Sequence, residues 1–149
     1  RSPLILAQNE TSSVAGADTV PIFNDKKEIA SELLQRFKRL WERNDVEGLL
    51  SLLSERGKVI MKVGFLGLDG EYGKSQAEYI MKEFFEGATK RRFSISRYRE
   101  LSGGVSAYAA GTIAYVDEKT GLERKLKIFI SLEESGGKWS VEEFRISDK

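Results

Sequence analysis

The alternation of apolar and polar residues from Arg92 to Ile146 constrains this chain most. Four strand-like runs are separated there by three compact clusters: Ser102-Gly103-Gly104, Asp117-Glu118-Lys119-Thr120-Gly121 and Glu134-Ser135-Gly136-Gly137-Lys138. Short runs joined by glycine-bearing turns predict an antiparallel meander. A period of two puts Leu126, Ile128, Ile130 and Leu132 on one side. In the last run Trp139 and Val141 share one parity, whereas Phe144 and Ile146 share the other. A bulge near Glu142-Glu143 reconciles them. Phe93 and Ile95 likewise give way to Arg97 and Arg99 on the same parity, which predicts a second bulge or a strand leaving the core. Two bulges predict a strongly curved sheet. The run Val105 to Val116 carries Ala107, Ala109, Ala110, Gly111 and Ala114, which admit a close helix or leave space for a ligand.

Upstream, helices are expected to cover one face of that sheet. Asp25 to Arg43 predicts a first helix, with Asp25 at capping-box spacing from Glu28 and with Ile29, Leu33, Phe37, Leu40 and Trp41 on one face. Asn44-Asp45-Val46-Glu47 repeats the cap before a short helix bearing Leu49, Leu50, Leu52 and Leu53, which Gly57 ends. Lys58 to Leu66 alternates as a strand with Val59, Met61, Val63 and Phe65 on one side. Asp69-Gly70 signals a hairpin turn, with Glu71-Tyr72 pairing back. Ser75 is expected to cap a third helix that buries Ile80, Met81, Phe84 and Phe85. Residues 1–22 show no period and read as a tail, and residues 23–149 as one domain. Within the tail, Pro3-Leu4-Ile5-Leu6-Ala7 has the form of the end of a trimmed export signal, so a periplasmic or secreted location is expected, with the cytoplasm as the alternative.

Three patterns in this order carry a family resemblance. Trp41-Glu42-Arg43-Asn44-Asp45-Val46-Glu47-Gly48-Leu49 resembles the joint of the first two helices in the nuclear transport factor 2-like, or cystatin-like, superfamily. Gly73-Lys74-Ser75-Gln76-Ala77-Glu78 followed by Phe84-Phe85 is similar to the third-helix entry of an uncharacterised branch of exported bacterial domains. Lys138 to Ile146 resembles the superfamily's final strand. The resemblance implies an α+β fold in which a curved antiparallel sheet wraps three helices as a cone. It also implies a cone that is often an open pocket and an outer sheet face that often dimerises.

The chemical inventory is thin. The 149 residues contain no histidine and no cysteine, which removes the usual general base, the thiolate nucleophile and the commonest metal ligands. No metal and no cofactor is assigned. Net charge is +1, and no apolar run reaches the ~20 residues of a membrane-spanning helix. Gly67 and Gly73 have five residues between them where a phosphate loop requires four, so a hairpin before a helix is the better reading. Lys90-Arg91-Arg92 with Phe93, Arg97, Tyr98 and Arg99 interleaves cations and rings, yet with so small a net charge it reads as a solvated edge strand rather than a nucleic-acid face. The expectation is a non-catalytic domain that binds a small apolar ligand or a protein partner. Its pocket candidates are Trp41, Phe85, Tyr108, Trp139 and Glu143, and the outer sheet face is a candidate homodimer surface. The alternative is a divergent lyase, isomerase or hydrolase, with Glu142 or Glu143 paired in the cone with Tyr72, Tyr108 or Tyr115.

Overall fold

A computed structural model describes residues 29–101 and 103–149. The expected tail, the export segment and the Asp25 cap lie outside the described residues. Helix α1, Ala30–Glu42, buries Ala30, Leu33, Leu34, Phe37 and Trp41, the stripe that helical periodicity requires. Ile29, expected on that stripe, is instead the extended N-cap residue and half exposed; the Glu32 carboxylate accepts its N–H at 3.4 Å. Asn44 adopts φ 61° and turns the chain, and Asp45 caps α2, Val46–Ser51, by accepting from the Gly48 N–H at 2.8 Å.

Strand β1, Leu53–Val63, begins where the sequence suggested that α2 continues. Leu52 is the helix C-cap and Leu53 is already strand. The Leu52 carbonyl accepts from the Val141 N–H at 2.8 Å, so a strand nearly ninety residues away sets this boundary and no local pattern reveals it. Gly57 therefore lies inside β1, not at a helix end. A one-turn 3₁₀ helix, Gly64–Leu66, and Gly67 at φ 68° then reverse the chain into β2, Leu68–Tyr72. The turn thus falls before Asp69-Gly70, which sits within β2 opposite Lys62 and Met61. Gly67 supplies the left-handed residue, and the Asp148 carboxylate accepts the Gly64 N–H at 2.7 Å. Phe65 leaves the inward row and lies exposed, 4.4 Å beneath the Arg124 guanidinium. Helix α3, Lys74–Glu86, starts from Gly73, which makes Ser75 a helical residue rather than the cap. It buries Ala77, Met81, Phe84 and Phe85, and Ile80 packs part-buried beside them.

The meander consists of β3 (Ala88–Glu100), β4 (Ser106–Asp117), β5 (Glu123–Ser135) and β6 (Lys138–Ser147). Strand order is β2-β1-β6-β5-β4-β3. Neighbours are antiparallel except β1 and β6, which run parallel, so the sheet as a whole is mixed. Both expected bulges are present. Register slips between Ile95 and Arg97 against β4, and Glu142 is the extra residue where Ser131 pairs with Glu143 and Leu132 with Val141. Gly136 and Gly137, both at positive φ, form the two-residue turn between β5 and β6. The result is an α+β fold whose bulged sheet curves around the helices. Leu126, Ile128, Ile130 and Leu132 face inward as the alternation required. Gly111 stands in the inward row of β4 where a Cβ would fall 2.1 Å from the Ser94 carbonyl oxygen, so β3 and β4 approach as closely as only glycine allows. No helix among the described residues is long and apolar enough to cross a membrane.

Candidate functional site

The space inside the cone is occupied by aromatic side chains. Phe37 and Trp41 of α1, Phe84 and Phe85 of α3, Phe93 of β3 and Phe144 of β6 converge there. The Trp41 ring lies 4.8 Å from that of Phe85, 6.0 Å from Phe93 and 6.1 Å from Phe84, and the Phe37 ring lies 5.2 Å from that of Phe144. Phe37, Trp41 and Phe144 are each 0% exposed. Edge and tilted contacts at these distances are the packing of a core, not of an open cleft. Two polar atoms in this region have no partner, Trp41 Nε1 and the Tyr115 hydroxyl. Tyr115 stands with its ring 5.2 Å from that of Phe84; burial, and secondarily the Asp117 carboxylate, pushes its hydroxyl pKa up to about 12. A cleft of about 490 Å³ lies against the outer side of Phe84, between α3 and β2, and Leu68, Ile80, Glu83 and Glu118 line it.

The carboxylates expected to serve as acids do not reach a tyrosine in the cone. Glu142 accepts from the Ser140 hydroxyl at 3.3 Å, and Glu143 pairs with Arg145 at 3.2 Å. The Tyr98 hydroxyl meets Glu100 at 3.0 Å, but on an exposed part of β3.

The outer face of the sheet is the other candidate. Outward positions follow directly from the inward rows, because side chains alternate along each strand. Registers bring Arg97 of β3, Ala110 of β4, Phe129 of β5 and Arg145 of β6 into one line across the sheet, and Ser94, Thr112, Lys127 and Ser147 into the next. The small side chains of Ala110 and Thr112 leave a depression of about 360 Å³ walled by Phe129, Lys127, Arg145 and Ser96. Phe129 is exposed and stacks on Tyr108 at 5.4 Å between ring centres. Phe129 is exposed and Tyr108 half-buried, so this ring pair lies at the surface beside alanine and threonine rather than in the core.

The five pocket candidates therefore separate. Trp41 and Phe85 belong to the packed interior. Trp139 is buried near the α2–β1 junction, on a shallow groove with Leu33 and Leu52. Tyr108 and Glu143 lie on the outer face. Phe129, Lys127 and Arg145 were missed, although one signal was readable. Once Leu126, Ile128, Ile130 and Leu132 face inward, a phenylalanine at 129 must face out.

The family model described as "Domain of unknown function (DUF4783)" matches residues 43–147. No curated protein matches the chain in sequence. Solved structures similar in fold include a DUF4783 family protein from Bacteroides uniformis, 14% identical, with a TM-score of 0.60 over 77% of this chain and 95% of that one. A ketosteroid isomerase-like protein from Erwinia carotovora atroseptica is 14% identical, with a TM-score of 0.65 over 84% of this chain and 97% of that one. An NTF-2 like protein of unknown function from Shewanella oneidensis is 16% identical, with a TM-score of 0.61 over 79% of this chain and 95% of that one. These likenesses are of fold, and they place the bulged sheet and its three helices among nuclear transport factor 2-like, cystatin-like structures. With a family match that covers the whole sheet and two of the three helices, the chain belongs to the DUF4783 family.

Proposed function

We propose that this chain is a non-catalytic binding domain that engages a protein partner through the outer face of its sheet. The observation that carries this reading is the contrast between two surfaces: the cone is filled by Phe37, Trp41, Phe84 and Phe85, whereas exposed Phe129 stacks on half-buried Tyr108 beside a small-residue depression. In this reading residues 1–22 tether an exported domain to its place of work. The test is a photo-crosslinking side chain placed at Phe129, with the same group at exposed Tyr79 of α3 as a control, in the cells that make the protein. A discrete cross-linked protein from position 129, absent from position 79 and weakened by Tyr108→Ala, supports the reading. Equal cross-linking from both positions, or none from 129, overturns it.

A second reading rests on the two unpartnered polar atoms. Trp41 Nε1 and the Tyr115 hydroxyl offer hydrogen-bond donors to a small apolar molecule that carries an acceptor, if Phe84 swings aside to admit it. Native mass spectrometry of freshly purified protein decides this: a bound small molecule lost in Trp41→Phe supports the cone, and a bare protein mass removes this reading. Glu–Tyr catalysis finds no support in the positions of Glu142 and Glu143.

A further inference from the structure

We propose that the partner segment recognised by the outer face is acidic and extended, with the pattern acidic–x–apolar–x–acidic. This rests on the outer-face reading above and names its chemistry. The charges on the face are unevenly satisfied. Lys58 pairs with Glu71, Arg92 with Glu123 and Arg145 with Glu143. Arg97, beside Ala110 in register on β3, and Lys127, which borders the depression from β5, form no ion pair with any described residue. Both side chains are exposed. Cations held around an apolar floor, without internal counterions, match a ligand that brings carboxylates to the rim and a hydrocarbon to the centre.

Strand geometry sets the spacing. Arg97 and Arg145 stand at the two ends of one cross-sheet line, with β4 and β5 between them. Three inter-strand steps separate their Cα atoms by about 14 Å. An extended segment lying across the strands advances about 13 Å in four residues, with every second side chain on the same side. A carboxylate at its first position then meets the unpaired Arg97, and one at its fifth meets Arg145, whose guanidinium engages Glu143 through Nη2 and keeps further N–H donors. The side chain between them descends over Ala110 against the edge of the Phe129 ring. Lys127, two residues along β5 from Phe129, meets a carboxylate from the side. Of the hydroxyls around the same depression, Ser96 and Ser147 already donate to the Ala110 and Lys149 carbonyls, which leaves the Thr112 hydroxyl to suit a carboxylate or backbone acceptor. A nucleic acid fits less well, because its phosphates repeat along the whole strand, whereas Glu133, Glu143 and Glu71 interrupt this face. A second copy centred on the depression brings Arg97 and Lys127 against their own like charges.

The experiment titrates labelled protein with a short synthetic peptide in which two glutamates bracket a phenylalanine in this pattern. Controls are the same peptide with lysines for glutamates, and a short oligothymidylate. Binding is followed by amide chemical shifts and by fluorescence anisotropy, at about 20 mM and about 200 mM salt. The expected result is shifts centred on Ala110, Thr112, Lys127 and Arg145. Affinity is expected to fall at least about tenfold in Arg97→Glu/Lys127→Glu, with the lysine peptide silent and salt weakening binding. Phe129→Ser, which alters no charge, is expected to weaken binding while leaving its salt dependence in place. Undiminished binding to the charge-reversed protein overturns the proposal, as does tighter binding of the oligonucleotide. Concentration-dependent self-association that Arg97→Glu/Lys127→Glu abolishes also overturns it, and assigns the face to a second copy. A cross-linked partner at position 129 together with a silent acidic peptide sinks the chemistry alone; failure of both sinks the outer-face reading with it.

Discussion

Trp41→Phe is the substitution that separates a packed cone from an occupied one. Trp41 is fully buried among Phe37, Phe84, Phe85 and Phe93, and its Nε1 has no partner. The change removes two ring carbons and the nitrogen. At about 0.8 kcal/mol per buried carbon, the lost transfer energy is roughly 1.5 kcal/mol, and a small residual void adds some tenths. Against this, a buried donor left unsatisfied costs about 1–3 kcal/mol, which phenylalanine relieves. The two contributions nearly cancel, so Trp41→Phe is expected within about 1 kcal/mol of the parent. Trp41→Ala has no such relief and is expected to lose about 3–5 kcal/mol. Urea unfolding followed by circular dichroism measures both, read as a shift of midpoint at constant slope. A loss above about 2.5 kcal/mol in Trp41→Phe with the slope unchanged would refute the reasoning. It would mean that Nε1 is hydrogen-bonded in solution, to water or to a ligand, and that the cone is not a closed hydrocarbon core.

Gly111→Ala places a Cβ 2.1 Å from the Ser94 carbonyl oxygen and is expected to cost about 3 kcal/mol or more, at the upper end for overpacking. Gly87→Ala, with nothing near its Cβ and φ −96°, is expected within about 0.5 kcal/mol of the parent; equal effects in thermal melts would discredit the close β3–β4 approach. Asp45→Ala removes the acceptor of the Gly48 N–H and is expected to lower unfolding free energy by about 1 kcal/mol, whereas Asp45→Asn is expected to retain most of it. Tyr115 stays protonated in the folded protein up to about pH 12, while in the unfolded chain it ionises near its ordinary value of 10. Its contribution is therefore complete below pH 10 and is lost as pH rises from there towards 12. Urea midpoints between those limits are expected to fall less steeply in Tyr115→Phe; parallel slopes would show that Tyr115 ionises as it does when unfolded.

The meander was legible because its information is local. Alternation in β5, the paired glycines before β6 and the parity breaks at Arg97 and Glu142 are each read within a dozen residues, and each appears where expected. Three misplacements share a different cause. Leu53 is claimed by β6, the turn before Asp69-Gly70 is held by Asp148, and Phe65 is drawn out beneath Arg124. In these three cases the deciding partner lies far along the chain, and a leucine-rich or Asp-Gly signal cannot register it; Ile29 and Ser75 are instead local cap shifts, with Glu32 and Gly73 as the neighbours involved. The site suffered in the same way. Trp41 and Phe85 were rightly read as inward, yet whether inward aromatics line a pocket or fill it depends on how several elements converge, which periodicity does not report.

Strand β4 explains why filling the cone and opening a depression outside it are one structural event. Its small residues occur on both parities, with Ala107, Ala109 and Gly111 inward and Ala110, Thr112 and Ala114 outward. Inward, the lack of side-chain bulk is taken up by close packing: β3 closes on Gly111, and the aromatic side chains of α1 and α3 occupy the volume above the strand. Outward, no element packs on the sheet among the described residues. The same lack of bulk there remains as a hollow, bordered by the larger side chains of β5 and β6. A ligand inside the cone would need the aromatic cluster to yield, with several stacked and edge-on rings pushed apart together. A segment laid on the outer face needs only to displace water from Ala110, Thr112 and the edge of Phe129. On the proposed reading, binding therefore costs less on the outside than in the cone. The stability of this domain and its capacity to bind should accordingly respond to different substitutions along one strand: inward changes such as Gly111→Ala move unfolding midpoints, and outward changes such as Ala110→Leu move binding alone.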